Sequence, residues 1–152
     1  MADTVRFELV SPEKLLLAED VRMVVVPGGE GNFGVLPGHS LLISTVRPGI
    51  IDVYKANEVS ERIFVSGGFA EVTPERCTVL ADEAMPVSAL NRTEIEDSLK
   101  QIDATIASVQ DRLGRLQGAE LEHAQTELRS AQAERALTEA KRLAVEAVAS
   151  PH

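Results

Sequence analysis

The chain has 152 residues, 44% of them apolar, and a formal net charge of −9, a length that suits one or two small domains each able to bury a core. The acidic balance argues against nucleic acid as a partner, because binding phosphates needs a basic face. Apolar runs of only a few residues argue against a membrane-spanning helix, and the acidic start Met1-Ala2-Asp3 is unlike a secretory leader, so a soluble protein without direct membrane insertion is expected.

The chain changes character near Pro86. All five aromatic residues, eight of the ten glycines and six of the seven prolines fall within residues 1–86, which is the vocabulary of strands and turns. Thirteen acidic residues against seven basic ones lie in that part, and eleven against eight in the rest. Two domains of different class are expected, residues 1–86 and 87–152.

The first strand is predicted from Val5, Phe7 and Leu9 alternating with Arg6 and Glu8, and Ser11-Pro12 ends it. Leu15 to Leu17 and Val21 to Val26 read as the next two, the second too continuously apolar to be wet on either face along its whole length. The stretch Gly28 to Gly38 follows. Gly29, Gly31 and Gly34 match G-x-G-x-x-G after an apolar run, the spacing of a dinucleotide-binding fingerprint. That motif needs a helix to begin inside it and hold the pyrophosphate, and Pro37-Gly38 forbids one. The glycines are instead expected to supply positive φ angles in turns, with Val35-Leu36 a short strand between them. Leu41 to Val46, Ile50 to Tyr54, Ile63 to Val65, Phe69 to Val72 and Arg76 to Ala81 complete a series broken by Arg47-Pro48-Gly49, Ser66-Gly67-Gly68 and Thr73-Pro74-Glu75. Short strands with frequent turn signals indicate a β-sandwich or barrel.

Beyond Pro86 the period becomes helical. Ile95, Leu99, Ile102, Ile106, Val109, Leu113 and Leu116 recur at spacings of three and four, an apolar seam on a helix spanning roughly 92–116. Asn91 with Glu94, or Thr93 with Glu96, offers a cap at its start. Gly114 and Gly118 bracket its exit, and an alanine-rich helix over roughly 119–148 follows, with acids crowding its start (Glu120, Glu122) and most of its basic residues (Arg135, Lys141, Arg142) in its second half, as the helix dipole prefers. The fold class is therefore α+β: a β-sandwich followed by an antiparallel two-helix hairpin.

Catalytic chemistry finds little support. Asp82-Glu83 and the pair Glu94 and Glu96 sit where acids are ordinarily solvated. Ser66-Gly67-Gly68 lacks the G-x-S-x-G pattern of a nucleophile elbow. Cys77 alternates with apolar residues as a small core residue does; as the one cysteine it has no disulfide partner, and a reducing compartment is favoured. His39, His123 and His152 stand far apart, so no metal is expected. His39, beside a Pro-Gly turn, reads as a loop or interface histidine. The residues by themselves lead to a noncatalytic interaction protein, and an unrelated sandwich and coiled-coil binding module is one form it could take.

The stretches Gly31-Asn32-Phe33-Gly34-Val35-Leu36-Pro37-Gly38-His39-Ser40-Leu41-Leu42, Arg47-Pro48-Gly49, Ser66-Gly67-Gly68-Phe69-Ala70-Glu71-Val72 and Thr78-Val79-Leu80-Ala81-Asp82, in this order, resemble the epsilon subunit of bacterial F-type ATP synthase, called delta in mitochondria. The resemblance is specific in the first part; in the second only the helical hairpin is shared. It implies a sandwich of about ten strands with a two-helix arm at the foot of the rotary central stalk. There the protein would link the gamma subunit to the ring of c subunits, peripheral on the cytoplasmic face of the bacterial inner membrane, and couple proton flow to ATP synthesis without catalytic residues of its own.

The resemblance places the c-ring contact on Glu30, Gly31 and Asn32, and the gamma contact near His39, Ser40 and Leu42. In many relatives the arm extends along gamma, and its basic residues approach an acidic segment of the catalytic beta subunits, slowing ATP hydrolysis; Arg112, Arg115, Arg129 and Arg135 are the candidates, and the resemblance extends the implied partners to the alpha and beta subunits. Some relatives bind ATP through Ile/Leu-Asp-x-x-Arg-Ala at the start of the first helix. Here Leu90-Asn91-Arg92-Thr93-Glu94-Ile95 puts an amide for the acid at Asn91 and an acid for the arginine at Glu94. No nucleotide or other cofactor is expected.

Overall fold

The computed structural model describes residues 3–149, which form two compact units, one running through Ala89 and one starting at Leu90. The first contains ten strands: β1 (Val5–Val10), β2 (Leu15–Val21), β3 (Met23–Gly28), β4 (Gly31–Val35), β5 (Leu42–Val46), β6 (Gly49–Lys55), β7 (Glu58–Val65), β8 (Gly68–Val72), β9 (Arg76–Ala81) and β10 (Ala84–Pro86). They run in the order β10-β7-β6-β3-β5-β8-β9-β1-β2, with β4 paired to β3. Every pairing is antiparallel except β1 with β9.

The alternation in β1 does what its sequence says. Val5, Phe7 and Leu9 are buried and join Val24, Val26, Val35, Ile51, Val53, Val65, Val72, Cys77 and Val79 in one core, while Arg6 and Glu8 turn outward. Strand β3 keeps the alternation only as far as Val26, with Val24 and Val26 buried between half-buried Met23 and Val25, and is buried continuously from Val26 to Gly28. Val24 and Val25 pair β4 on one side and β6 on the other, whereas Gly28 pairs β5. Its partner on that second side changes between Val25 and Gly28, and Pro27, which has no N–H to donate, falls in the gap.

Several sequence expectations need correction. The run Val21 to Val26 is two strands broken at the exposed Arg22. A strand there gains nothing from an apolar side chain, and Arg22 N–H turns to Tyr54 O at 2.8 Å. The glycine-rich stretch is itself a strand: β4 takes in Gly31 to Val35, and Leu36 lies beyond it, exposed. Only Gly31 (φ 143°) and Gly38 (φ 82°) take positive φ in it. Gly28 is required for close approach, since a Cβ there would stand 2.7 Å from Gly31 O. Strand β7 begins at Glu58, five residues before its apolar segment, because polar residues fill an edge of a hairpin whose backbone pairs with β6 throughout. Strand β10 has three residues, too few for any period to mark it in the sequence.

The second unit is a hairpin of α1 (Arg92–Leu113) and α2 (Gly118–Ala149). Asn91 caps α1, its Oδ1 accepting from Glu94 N–H at 3.1 Å. Ile95, Leu99, Ile102 and Val109 are its buried seam, and the small Ala124, Ala131 and Ala144 are buried on α2. Ion pairs join Arg92 to Glu146 at 3.7 Å, Asp103 to Arg135 at 2.6 Å and Arg112 to Glu127 at 3.2 Å, so sequence numbers rise on one helix as they fall on the other. Helix α1 stops three residues earlier than its apolar period, at Leu113. Arg115 N–H and Leu116 N–H bond three residues back, to Arg112 O and Leu113 O, and this tighter turn satisfies carbonyls that a continued helix would have used.

Candidate functional site

The turn joining β3 to β4 brings together the first predicted set. Glu30, Gly31 and Asn32 are all exposed, and the turn is held from one side by the end of β5 and the residue after it. Gly29 N–H donates to Thr45 O at 3.0 Å, and Arg47 N–H to Pro27 O at 2.9 Å. The Arg47 guanidinium then forks: Nη1 donates to Gly28 O and Nη2 to Asn32 Oδ1, each at 2.5 Å.

The second set is only partly brought together. Gly38 N–H bonds Pro74 O at 2.8 Å and His39 N–H bonds Leu36 O at 3.2 Å, so this loop is pinned to the turn between β8 and β9. His39 Nδ1 lies 2.7 Å from Ser40 O, an orientation that commits one ring nitrogen to the backbone as donor. Ser40 is exposed. Leu42, however, packs against the core, and its neighbours Leu41 and Ile43 are the projecting pair, each 77% exposed.

Those two open onto a larger feature that alternation alone did not reveal. On the outer face of the sheet, Phe69 of β8 stands opposite Leu80 of β9, Leu80 opposite Val10 of β1, and Val10 opposite Leu15 of β2. Phe69 is 57% exposed, Leu80 54% and Leu15 57%. A row of large apolar side chains thus crosses four strands where polar residues would cost nothing, with Ile43 on the adjoining β5. The sign in the sequence was phase. In Arg76 to Ala81, Cys77, Val79 and Ala81 form the buried set and Leu80 is apolar out of turn; Phe69 is likewise out of turn beside buried Ala70 and Val72.

Next to the row lies an open cleft of about 530 Å³ lined by Glu8, Glu71, Thr73, Glu75, Arg76 and Thr78. Arg76 pairs with Glu8 at 3.6 Å. Cys77 is fully buried, and burial pushes its thiol up to about 12, so it is a core residue and not a nucleophile. Among the described residues no group of His, Cys, Asp and Glu is placed to hold a metal ion.

The arginines of the hairpin are already engaged. Arg112 pairs with Glu127, Arg115 with Asp111 at 3.1 Å, and Arg135 with Asp103 through both Nε and Nη2. Arg129 donates to Thr126 Oγ1 at 3.2 Å. They do not converge on one site.

A ten-stranded sandwich of this topology is a known class, and residues 4–87 match the family model described as the ATP synthase delta/epsilon chain β-sandwich domain. Over 124 residues the chain is 56% identical to the ATP synthase epsilon chain of Rhodospirillum centenum, covering 80% of this chain and 85% of that one. It is 49% identical over 120 residues to the epsilon chain of Rhodospirillum rubrum, with 79% and 90% covered. Among solved structures, a chain in the cryo-EM structure of the Euglena gracilis mitochondrial ATP synthase, comprising OSCP, F1 and c-ring, shares the fold. Its TM-score is 0.71 at 22% identity, and the match covers 99% of this chain and 84% of that one. The chain belongs to the ATP synthase epsilon chain family. The reading as an unrelated binding module falls with that assignment.

Proposed function

We propose that this chain is the noncatalytic rotor subunit that links gamma to the c-ring in a proton-translocating F-type ATP synthase, coupling proton flow to ATP synthesis. The outward apolar row carries the proposal. Phe69, Leu80, Val10 and Leu15 lie in register on rigid strands, and a soluble surface has no use for such a row unless another chain covers it. Ile43 on β5 and Leu41 before it project beside the row, the loop carrying His39 and Ser40 leads into them, and gamma is the partner the reading assigns to these residues. The turn Glu30-Gly31-Asn32 is assigned to the c-ring. Among the described residues no helix is long and apolar enough to cross a membrane, which fits a peripheral position on the cytoplasmic face of the bacterial inner membrane.

The helical arm is read as a brake on ATP hydrolysis that acts on an acidic segment of the beta subunits. Arg112, Arg115 and Arg135 hold acidic partners within the hairpin and would exchange them on engaging the brake, whereas Arg129 bonds the Thr126 hydroxyl and would give up no ion pair. Asn91 is occupied as a helix cap, and Glu94 would face a bound nucleotide with the wrong sign, so ATP is not a ligand in this reading.

Mixing the purified chain with gamma tests the proposal: a stable one-to-one pair on gel filtration is expected, and failure to form one refutes it. Hydrolysis by the assembled enzyme with and without residues 90–152 tests the brake, which is refuted if the rate is unchanged.

A further inference from the structure

The turn assigned to the c-ring has two ends, and a single side chain holds both. We propose that Arg47 is the positioning residue for that contact: its guanidinium bridges Gly28 O and Asn32 Oδ1 and so decides which group Asn32 shows to the partner. The inference rests on the c-ring reading above and adds to it a residue and a recognition chemistry.

Two acceptors lie at the mouth of the β3–β4 hairpin, the Gly28 carbonyl before the turn and the Asn32 side-chain oxygen after it. Arg47 donates one N–H to each, at 2.5 Å, from the two terminal nitrogens of one planar fork. The backbone beneath is tied as well, by Arg47 N–H to Pro27 O and Gly29 N–H to Thr45 O. Gly31 has φ 143° and no atom within 4 Å of where a Cβ would stand, so the tip of the turn has no side chain packed against it on that side. Beyond its own β3–β4 ladder, in which Gly28 pairs Gly31 and Pro27 pairs Asn32, the turn is held by β5 and Arg47.

The consequence for recognition follows from what the fork leaves over. With Oδ1 of Asn32 already accepting, the amide cannot flip without losing a charge-assisted bond. The group left to face outward is Nδ2, a donor with two hydrogens. Beside it Glu30 is exposed. The partner surface must then supply an acceptor opposite Asn32, a backbone or side-chain carbonyl of the c-subunit loop, and a donor opposite Glu30. A lysine at position 47 keeps the charge but not the planar fork.

The experiment uses the full chain paired with gamma, a detergent-solubilised c-ring as the probe, and two readouts: the dissociation constant for the c-ring and hydrogen exchange of amides 28–33. Arg47→Ala is expected to raise exchange in that segment alone and to weaken c-ring binding about tenfold, the scale of one lost hydrogen bond from Asn32 to the partner. Asn32→Asp keeps the tie to Arg47 as an ion pair but presents no donor, so its exchange is expected to match the parent while binding falls about tenfold. Arg47→Lys is expected to show part of both losses. Unchanged exchange in Arg47→Ala overturns the proposal. So does parental binding by Asn32→Asp, which removes the donor, or full binding by Arg47→Lys with exchange still fast, which makes charge the operative property. If Arg47→Ala speeds exchange but Glu30→Ala, Asn32→Ala and Asn32→Asp all bind as the parent does, the turn is not the c-ring contact, and the recognition claim is overturned through its premise with the strut intact.

Discussion

Phe69→Ala separates a docking surface from a stabilising one. The residue is 57% exposed, and an aromatic side chain offers on the order of 200 Å², so roughly 110 Å² awaits a partner. At about 25 cal/mol per Å², covering it contributes about 3 kcal/mol, of which alanine would retain about a third. The variant is expected to bind gamma about 30-fold more weakly, corresponding to about 2 kcal/mol. The part of the ring already covered in the free chain makes the cost to folding smaller, about 1 kcal/mol after alanine's own share, or a fall of several degrees in Tm. Phe69→Leu keeps most of the apolar area and is expected to stay within about threefold of the parent. Titration calorimetry or surface plasmon resonance against purified gamma reads the affinity, and thermal unfolding of the free chain reads the stability. Parental affinity in Phe69→Ala would show that the row is not where gamma docks. An equal loss in Phe69→Leu would show that apolar area is not what the site uses.

Gly68→Ala is expected to prevent stable folding of the sandwich, because φ is +140° and a Cβ would stand 1.9 Å from the Leu80 carbonyl oxygen; a Tm within a few degrees of the parent would contradict this. The Cys77 thiol, buried and pushed up to about 12, is expected to resist a thiol reagent at pH 8 in the folded chain and to react fully in denaturant; rapid native reaction would place it at the surface. Asp52 is raised above its ordinary 3.8 by burial, against the pull of Arg62, and Glu61 above 4.5 by burial and then by the neighbouring Glu19. The folded chain thus holds these protons more tightly than the unfolded one, so their contribution is full below the ordinary values and is lost as pH rises through the raised ones. Asp52→Asn with Glu61→Gln is expected to flatten that fall in urea-melt midpoints between pH 4 and 7, and an identical profile would refute the assignment.

Much of this molecule is local in origin. The period of two in Val5 to Leu9, the spacing of Ile95 to Leu113, the cap at Asn91 and the turn signal at Pro48-Gly49 act on their own neighbours, so the sandwich and the hairpin could be read directly. The motifs in family order supplied the candidate turn at Glu30 to Asn32 and the loop at His39. Where the chain misled, the deciding contact came from far away. Whether Arg22 breaks a strand, whether Gly31 to Val35 pairs as one, and where β7 begins depend on backbone partners in other strands.

The site shows the same division more sharply. An out-of-phase Leu80 or Phe69 is visible as a letter, but that it joins Val10 and Leu15 in one row depends on the register of β8, β9, β1 and β2, which no single segment encodes. Leu42 was chosen by its neighbourhood, and the pleat turned it toward the core while exposing Leu41 and Ile43. Arg47 lies 15 residues from Asn32 and meets it because β5 returns alongside the β3–β4 turn. Composition and periodicity determine which elements form, since their energies are short-ranged; strand pairing determines which faces meet, since hydrogen bonds between distant strands set the register that brings side chains together.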